Sequence, residues 1–324
     1  MAGFTDATTV NLTRTQVFSS DITTLLLDDL NAMQFVRTLN DFPDGFNFNI
    51  PIVGEAEVAY FNEGQAMKYQ QMDTGNFQFN FTDYVYSGNS MSEKFRRDSW
   101  LSPQIIALFP QRQHRALMEY YETRVWAVGN AGQTASNLNT INGASHRWVA
   151  GAVASNGTQG MLTFQDFAKA RFALTKSNVP LRNLVAIVDP STAYSLETQT
   201  NVTNLLTPAG QWQSVTREGL TTGFKYRFNV YGFDIYESNY LPSSISETIN
   251  SVSVTNGVAN YFFDATPGDT LSWVGAWRQM PTVQSKFDMD LQQWDYATIC
   301  EFGLGFFREQ NFVTVLTSKS VVPS

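Results

Sequence analysis

The chain has 324 residues, 43% of them hydrophobic, 15% charged and 14% aromatic, with 25 phenylalanines, a globular composition able to bury one large or two modest cores. Its net charge of −8 excludes a protein that grips a polyanion by bulk electrostatics, although it suits a wall that encloses nucleic acid without sticking to it. A single cysteine, Cys300, excludes an internal disulfide and a thiolate metal cluster, and no stretch approaches the roughly 20 apolar residues of a membrane span.

Few charges and many aromatics predict a surface covered by other copies of the chain, since subunit contacts favour aromatics and exclude lysine and glutamate. Aromatics filling a β-rich core are the competing explanation. The first 40 residues begin polar, without the basic start and apolar run of a secretory signal. An apolar patch then follows, Ile22, Leu25, Leu26, Leu27 and Leu30, which reads as a short helix capped by Asp21. Too short to bury itself, this leader is expected to lie as an arm across something else, with Leu25, Leu26 and Leu30 as its contact residues.

From Phe46 the period changes to two. Phe46, Phe48, Ile50 and Ile52 alternate with polar residues, as do Phe77, Phe79 and Phe81 on the return, which predicts two antiparallel strands. Between them residues 55–75 are mostly polar with isolated aromatics. A two-stranded ribbon is marginal alone in water, so this hairpin needs another surface. Its candidate contacts are Tyr60, Phe61, Met67, Lys68 and Tyr69.

Residues 102–129 form the longest segment of helical period. Ile105, Ile106, Leu108, Phe109, Leu117, Tyr120, Tyr121, Val125 and Val128 lie on one stripe, Ser102 serves as cap, and Gly129 with Asn130 gives a stop. Pro110 implies a kink or a fresh start. Residues 131–159 read as loop. A helix capped by Thr163 follows, with Phe164, Phe167, Ala168 and Phe172 on its apolar face; then come a buried strand at 184–188 and a second helix opened by Asp189 and Pro190. Downstream are a loop at 198–228, strands at 229–242, 259–263 and 271–280, and a long ribbon of 283–291 and 298–317 joined through residues 292–295.

No phosphate loop or nucleophile elbow occurs. His114 and His146 are too few for zinc, Cys300 reads as a buried structural residue, and Asp288 with Asp290 as solvated charges. No catalytic residue, metal or cofactor is expected.

The order of parts resembles the major capsid proteins of tailed bacteriophages, the Hong Kong 97 type shell fold. The wording is similar in three places: NVPLRNLVAIVDPSTAYSLE at 178–197, YGFDIYESNYLP at 231–242, and GAWRQMPTVQSKFD at 275–288 followed by CEFGLGFFREQNFVTVLT at 300–317. The resemblance implies an α+β fold with an N-terminal arm (1–41), an extended β-hairpin loop (42–91), a peripheral domain with a long spine helix (92–150), an axial α/β domain (151–268) and closing strands of the peripheral domain (269–324). It implies self-assembly into pentamers and hexamers of an icosahedral head around double-stranded DNA held without sequence-specific binding. A separate scaffolding protein and a portal are implied partners, a cement protein is left open, and assembly would take place in the host cytoplasm with the virion as destination. Lys68 is the one loop lysine, and no partner asparagine is identifiable for the isopeptide bond that some relatives form. An encapsulin-like compartment and a soluble β-rich carbohydrate-binding protein are the alternatives.

Overall fold

In the computed structural model of the chain, the described residues are 30–39, 47–54, 58, 60, 62–64, 66, 74–99, 102–133, 139–153, 159–197 and 226–319. A 3-10 turn (Ala32–Phe35) leads into β1 (Val36–Thr38). β2 (Asn47–Val53) and β3 (Thr74–Asn80) are the arms of the expected hairpin, with Ile50 opposite Phe77 and Ile52 opposite Gly75. β4 (Asp83–Ser92) passes into a short helix, α1 (Glu93–Asp98), where the Ser92 hydroxyl accepts the Phe95 amide at 3.3 Å.

The long segment is one helix, α2 (Ser102–Gly132). It runs through Pro110 without a break, so a lost backbone donor there is outweighed by the turns on either side. Two sequence expectations fail at its ends. Ser102 does not cap with an acceptor; its hydroxyl donates to the Arg96 carbonyl at 2.9 Å and closes the corner with α1. Gly129 does not stop the helix either. A Cβ there would lie 3.0 Å from Trp273 and 3.1 Å from Phe312, so the glycine serves close packing.

Residues 131–159 contain more structure than expected: β5 (Thr140–Ile141) pairs with β6 (Ala144–Ser145), β7 (Arg147–Val149) joins a large sheet, and β8 (Ala152–Val153) pairs with β9 (Gln159–Met161). α3 (Phe164–Lys176) begins at Thr163, whose amide and hydroxyl both donate to Asp166 Oδ2. Its buried face is Asp166, Phe167, Ala170, Ala173 and Leu174, while Ala168 and Phe172 face out. Phe164 and Phe167 lie on the packed side as expected, while Ala170 and Ala173, not Ala168 and Phe172, complete it and let the helix lie close on the sheet. β10 (Leu184–Val188) is buried throughout, and α4 (Pro190–Glu197) starts where Asp189 accepts the amide and hydroxyl of Ser191.

The expected strand at 229–242 is a hairpin instead: β11 (Tyr226–Val230) turns back into β12 (Phe233–Glu237) at Tyr231 and Gly232, whose φ values of 50° and 88° are those of a type I′ turn. β13 (Ile245–Ile249) pairs with β14 (Val252–Asp264). β15 (Trp273–Asp288) and β16 (Gln293–Phe306) form the long ribbon, and their turn falls at residues 289–292, earlier than read. The last expected strand is split. A 3-10 turn (Glu309–Asn311) separates β16 from β17 (Val313–Ser318), and the two lie in different sheets.

The first sheet has the order β1-β15-β16-β4, and α2 lies on one face of it. The second has the order β11-β12-β10-β14-β17-β7, with β13 alongside β14. Residues 313–318 therefore leave the closing-strand group in which the sequence placed them, because they pair with residues 257–262 of β14. α3 and α4 pack on one face of the second sheet through Phe167, Leu174, Ala193 and Leu196. Its other face shares a core with α2 and the first sheet. At the centre stands Trp273, edge-on to Trp126, Phe263 and Phe312 at centroid distances of 5.4, 5.0 and 4.9 Å. Such pairs add about 0.5–1.5 kcal/mol each beyond the area they bury.

Polar ties cross the same junction. The Asn311 side chain accepts the Asp264 amide and donates to the carbonyls of Asp264 and Thr270. Burial pushes the Asp264 carboxyl up, but donors from Arg182, Asn183 and Thr266 outweigh it and hold the group below the usual range. Fully buried Arg147 reaches Glu247 with two nitrogens, at 3.1 and 2.8 Å, and Asn130 at 3.0 Å, joining β7, β13 and the end of α2.

Candidate assembly interface

Among the described residues the hairpin of β2 and β3 is a sheet of two strands with no third partner. Its base is anchored: Phe77 meets Phe307 edge-on at 5.0 Å, and Ile50, Phe77 and Leu39 pack on Phe81, Val274 and Ala276. Beyond Val53 the described loop residues have little cover. Val58 and Tyr60 are fully exposed, and Glu63 and Gly64 sit in an exposed turn. Of the loop residues singled out from sequence, Tyr60 is placed and solvent-facing; Phe61, Met67, Lys68 and Tyr69 lie outside the described residues.

At the arm, Leu25 and Leu26 also lie outside the described residues, and Leu30 is half-buried. The body of the subunit begins at the next residue. Asn31 and Ala32 are buried, and their amides donate to Glu122 Oε2 at 2.8 and 2.9 Å. The indole of Trp126 donates to Glu122 Oε1 at 3.2 Å. Burial pushes this carboxyl up against the pull of its three donors. Phe35 then inserts beside Trp126 and Phe263, and β1 lies parallel on β15 with Val36 opposite Trp273. Residues 31 and 32 are thereby fixed on the spine helix.

α2 is covered unevenly. Gln113, Leu117, Tyr121, Glu122, Val125, Trp126 and Gly129 are buried, whereas Ile105, Ile106, Leu108 and Phe109 are half-covered by their own chain. Gln113 ties the middle of the helix to the sheet: its amide nitrogen donates to Asn89 Oδ1 and the Tyr296 carbonyl, and its oxygen accepts the Thr298 hydroxyl. These polar anchors carried no periodic signal in the sequence. Tyr84 and Tyr86 on β4 are exposed, on the sheet face away from α2, and Met289 and Leu291 are exposed at the tip of the β15–β16 ribbon. Alternation of Tyr84 and Tyr86 with Asp83 and Val85 was the available signal for the first pair.

Two of the side chains weighed for chemistry, Cys300 and His146, are enclosed in the core. Cys300 is buried, and burial pushes its thiol up, away from the reactive thiolate. His146 is enclosed between the Phe312 carbonyl and the Ser177 hydroxyl at 2.9 and 2.8 Å. A carbonyl can only accept, so Nδ1 carries the proton and Nε2 accepts from Ser177. Among the described residues no group of three His, Cys, Asp or Glu side chains could hold a metal ion.

Solved structures share this arrangement. The capsid of the cyanophage P-SCSP1u superposes with a TM-score of 0.68 over 98% of this chain and 99% of that one, at 14% identity. The capsid of Ralstonia phage GP4 gives a TM-score of 0.66 over 99% of this chain and 100% of that one, at 11% identity. At such identity the likeness speaks for the fold alone. Comparison with curated protein sequences finds no match. A family model described as phage capsid protein matches residues 90–315, from the end of β4 through the spine helix to β17. The chain belongs to the phage capsid protein family, and its work is to build the protein shell of a phage head.

Proposed function

We propose that this chain is the major capsid protein of a tailed phage, closing as pentamers and hexamers into an icosahedral head around double-stranded DNA. The observation that supports this best is the hairpin beyond β2 and β3, which leaves Val58 and Tyr60 fully exposed on a ribbon too thin to stand alone. In the shell, Tyr60, Phe61, Met67, Lys68 and Tyr69 contact a neighbouring copy, and so do Leu25, Leu26 and Leu30 of the arm. Single contacts can be weak, because a closed shell multiplies them.

The chain divides into arm (1–41), loop (42–91), peripheral domain (92–150 with 269–312) and axial domain (151–268), the last taking β7 and β17 into its sheet. The protein acts by assembly, without turnover. The net charge of −8 suits a wall from which packaged DNA can leave. A separate scaffolding protein and a portal complete the head in the host cytoplasm, and a cement protein on the outside fits the same scheme. Deleting residues 55–73 is the test. The shortened chain should keep its far-UV circular dichroism and elute as small species, while the full chain gives closed shells in electron micrographs. Normal shells from the shortened chain overturn the proposal.

A further inference from the structure

The first sheet ends on two edges of different character. Beyond Gly275 the outer side of β15 is left uncovered by β1, and it carries Pro281 and register shifts between Trp277 and Gln279 and between Gln279 and Thr282. A proline has no amide to donate and a bulge breaks the ladder spacing, so this edge is blunted against pairing. β4, the opposite edge, holds unbroken register on β16 from Asp83 opposite Phe302 to Ser92 opposite Gln293. It contains no proline and no lysine. Among the described residues its strand backbone pairs with β16 alone. Alternate amides and carbonyls over roughly 33 Å therefore point away from the sheet, at about 3.3 Å per residue. Tyr84 and Tyr86, 64% and 75% exposed, flank this edge on the open face.

Such an edge is a template for one more strand, and the sequence contains a segment suited to it. Residues 8–18, TTVNLTRTQVF, include six β-branched residues, no glycine, no proline and one charge. Their length matches that of β4. Eleven residues separate Phe18 from Leu30, a reach of up to about 40 Å. The chain enters its own body on the β1 side, where Glu122 holds Asn31 and Ala32, and β4 is at the far edge of the same sheet. The pairing requires that copies side by side in a shell bring one subunit's β4 edge within that reach of a neighbour's arm.

We infer that the free edge of β4 receives residues 8–18 of a second copy as an added strand, with side chains of the arm lying against Tyr84 and Tyr86. Main-chain hydrogen bonds supply the pairing, and the tyrosines favour one register. The inference rests on reading the residues before Leu30 as an arm that leaves its own subunit.

Cys300 is buried, so introduced thiols report without interference. Full-length copies with one tag carry Ser90→Cys, copies with a second tag carry Thr9→Cys, Thr13→Cys or Val17→Cys, and the two are mixed before assembly and oxidised. One of the three arm positions should give disulfide dimers that join both tags. In parental shells the amides of 83–92 should exchange at least about tenfold more slowly than in unassembled subunits, with exchange in 102–132 unchanged. Absence of mixed-tag dimers from all three positions, or equally fast exchange of 83–92 in shells and free subunits, overturns the inference. A chain lacking residues 1–20 that still closes normal shells overturns the arm reading as well. One that needs those residues while β4 exchanges freely overturns only the seat proposed here.

Discussion

Replacing Glu122 by glutamine tests the tie between the arm's root and the spine helix. Two carboxylate oxygens receive three donors, the amides of Asn31 and Ala32 on one and the Trp126 indole on the other. An amide offers one accepting atom. If its oxygen serves the two backbone amides, its NH2 faces the indole N–H, and two donors meet in a site where Glu122 is 2% exposed. An unmet buried donor costs about 1–3 kcal/mol. Losing the charge returns part of this, since burial already pushes the carboxyl up. The expected net loss is about 1–3 kcal/mol, read as a lower urea midpoint for the dispersed subunit at unchanged slope. Trp126→Phe removes the indole donor, so the glutamine should cost less in that background, with a coupling of about 1–2 kcal/mol in the double-mutant cycle. E122Q equal to or more stable than the parent would refute the reasoning, because desolvation would then outweigh the three hydrogen bonds.

Gly132→Ala places a Cβ about 2.3 Å from the Phe306 ring and should destabilise by about 1–3 kcal/mol through overpacking; Phe306→Leu in the same chain should recover part of the thermal midpoint. Tyr60→Ser should leave the denaturation curve of the subunit within about 0.5 kcal/mol, as expected for an exposed side chain, yet reduce the yield of closed shells counted by microscopy. His146 is held neutral, its value lowered by burial. The unfolded chain takes up that proton below about pH 6.5, so stability from this group is present above that pH and is lost as pH falls toward the lowered value. A plot of stability against pH between 7 and 5 should be flatter for His146→Asn than for the parent.

Much of the scaffold was legible because its signals are periodic. The stripe from Leu117 to Val125 announced the spine, and alternation about Ile50 and Phe77 announced the two strands of the hairpin, though not their register. What was hidden has no period. Residues 301–306 alternate, and alternation cannot say which sheet the strand after them enters; the crossing at Glu309–Asn311 contains neither glycine nor proline to mark it. Buried polar residues were invisible for a related reason. Gln113 and Glu122 look like solvent-facing helix residues until the partners that satisfy them, far along the chain, are in place. Exposure singles out Tyr60, Tyr84 and Tyr86 on the subunit surface, and the sequence pointed only to the first.

The uneven cover on α2 has a mechanical consequence. From Gln113 to Gly129 the rod is clamped by hydrogen bonds and aromatic rings, while the turns before it rest on half-covered side chains and lack one rung of the backbone ladder at Pro110. A beam gripped over part of its length flexes just outside the grip. Load passed through a shell wall would therefore bend this subunit around Pro110 before it deforms the shared core around Trp273.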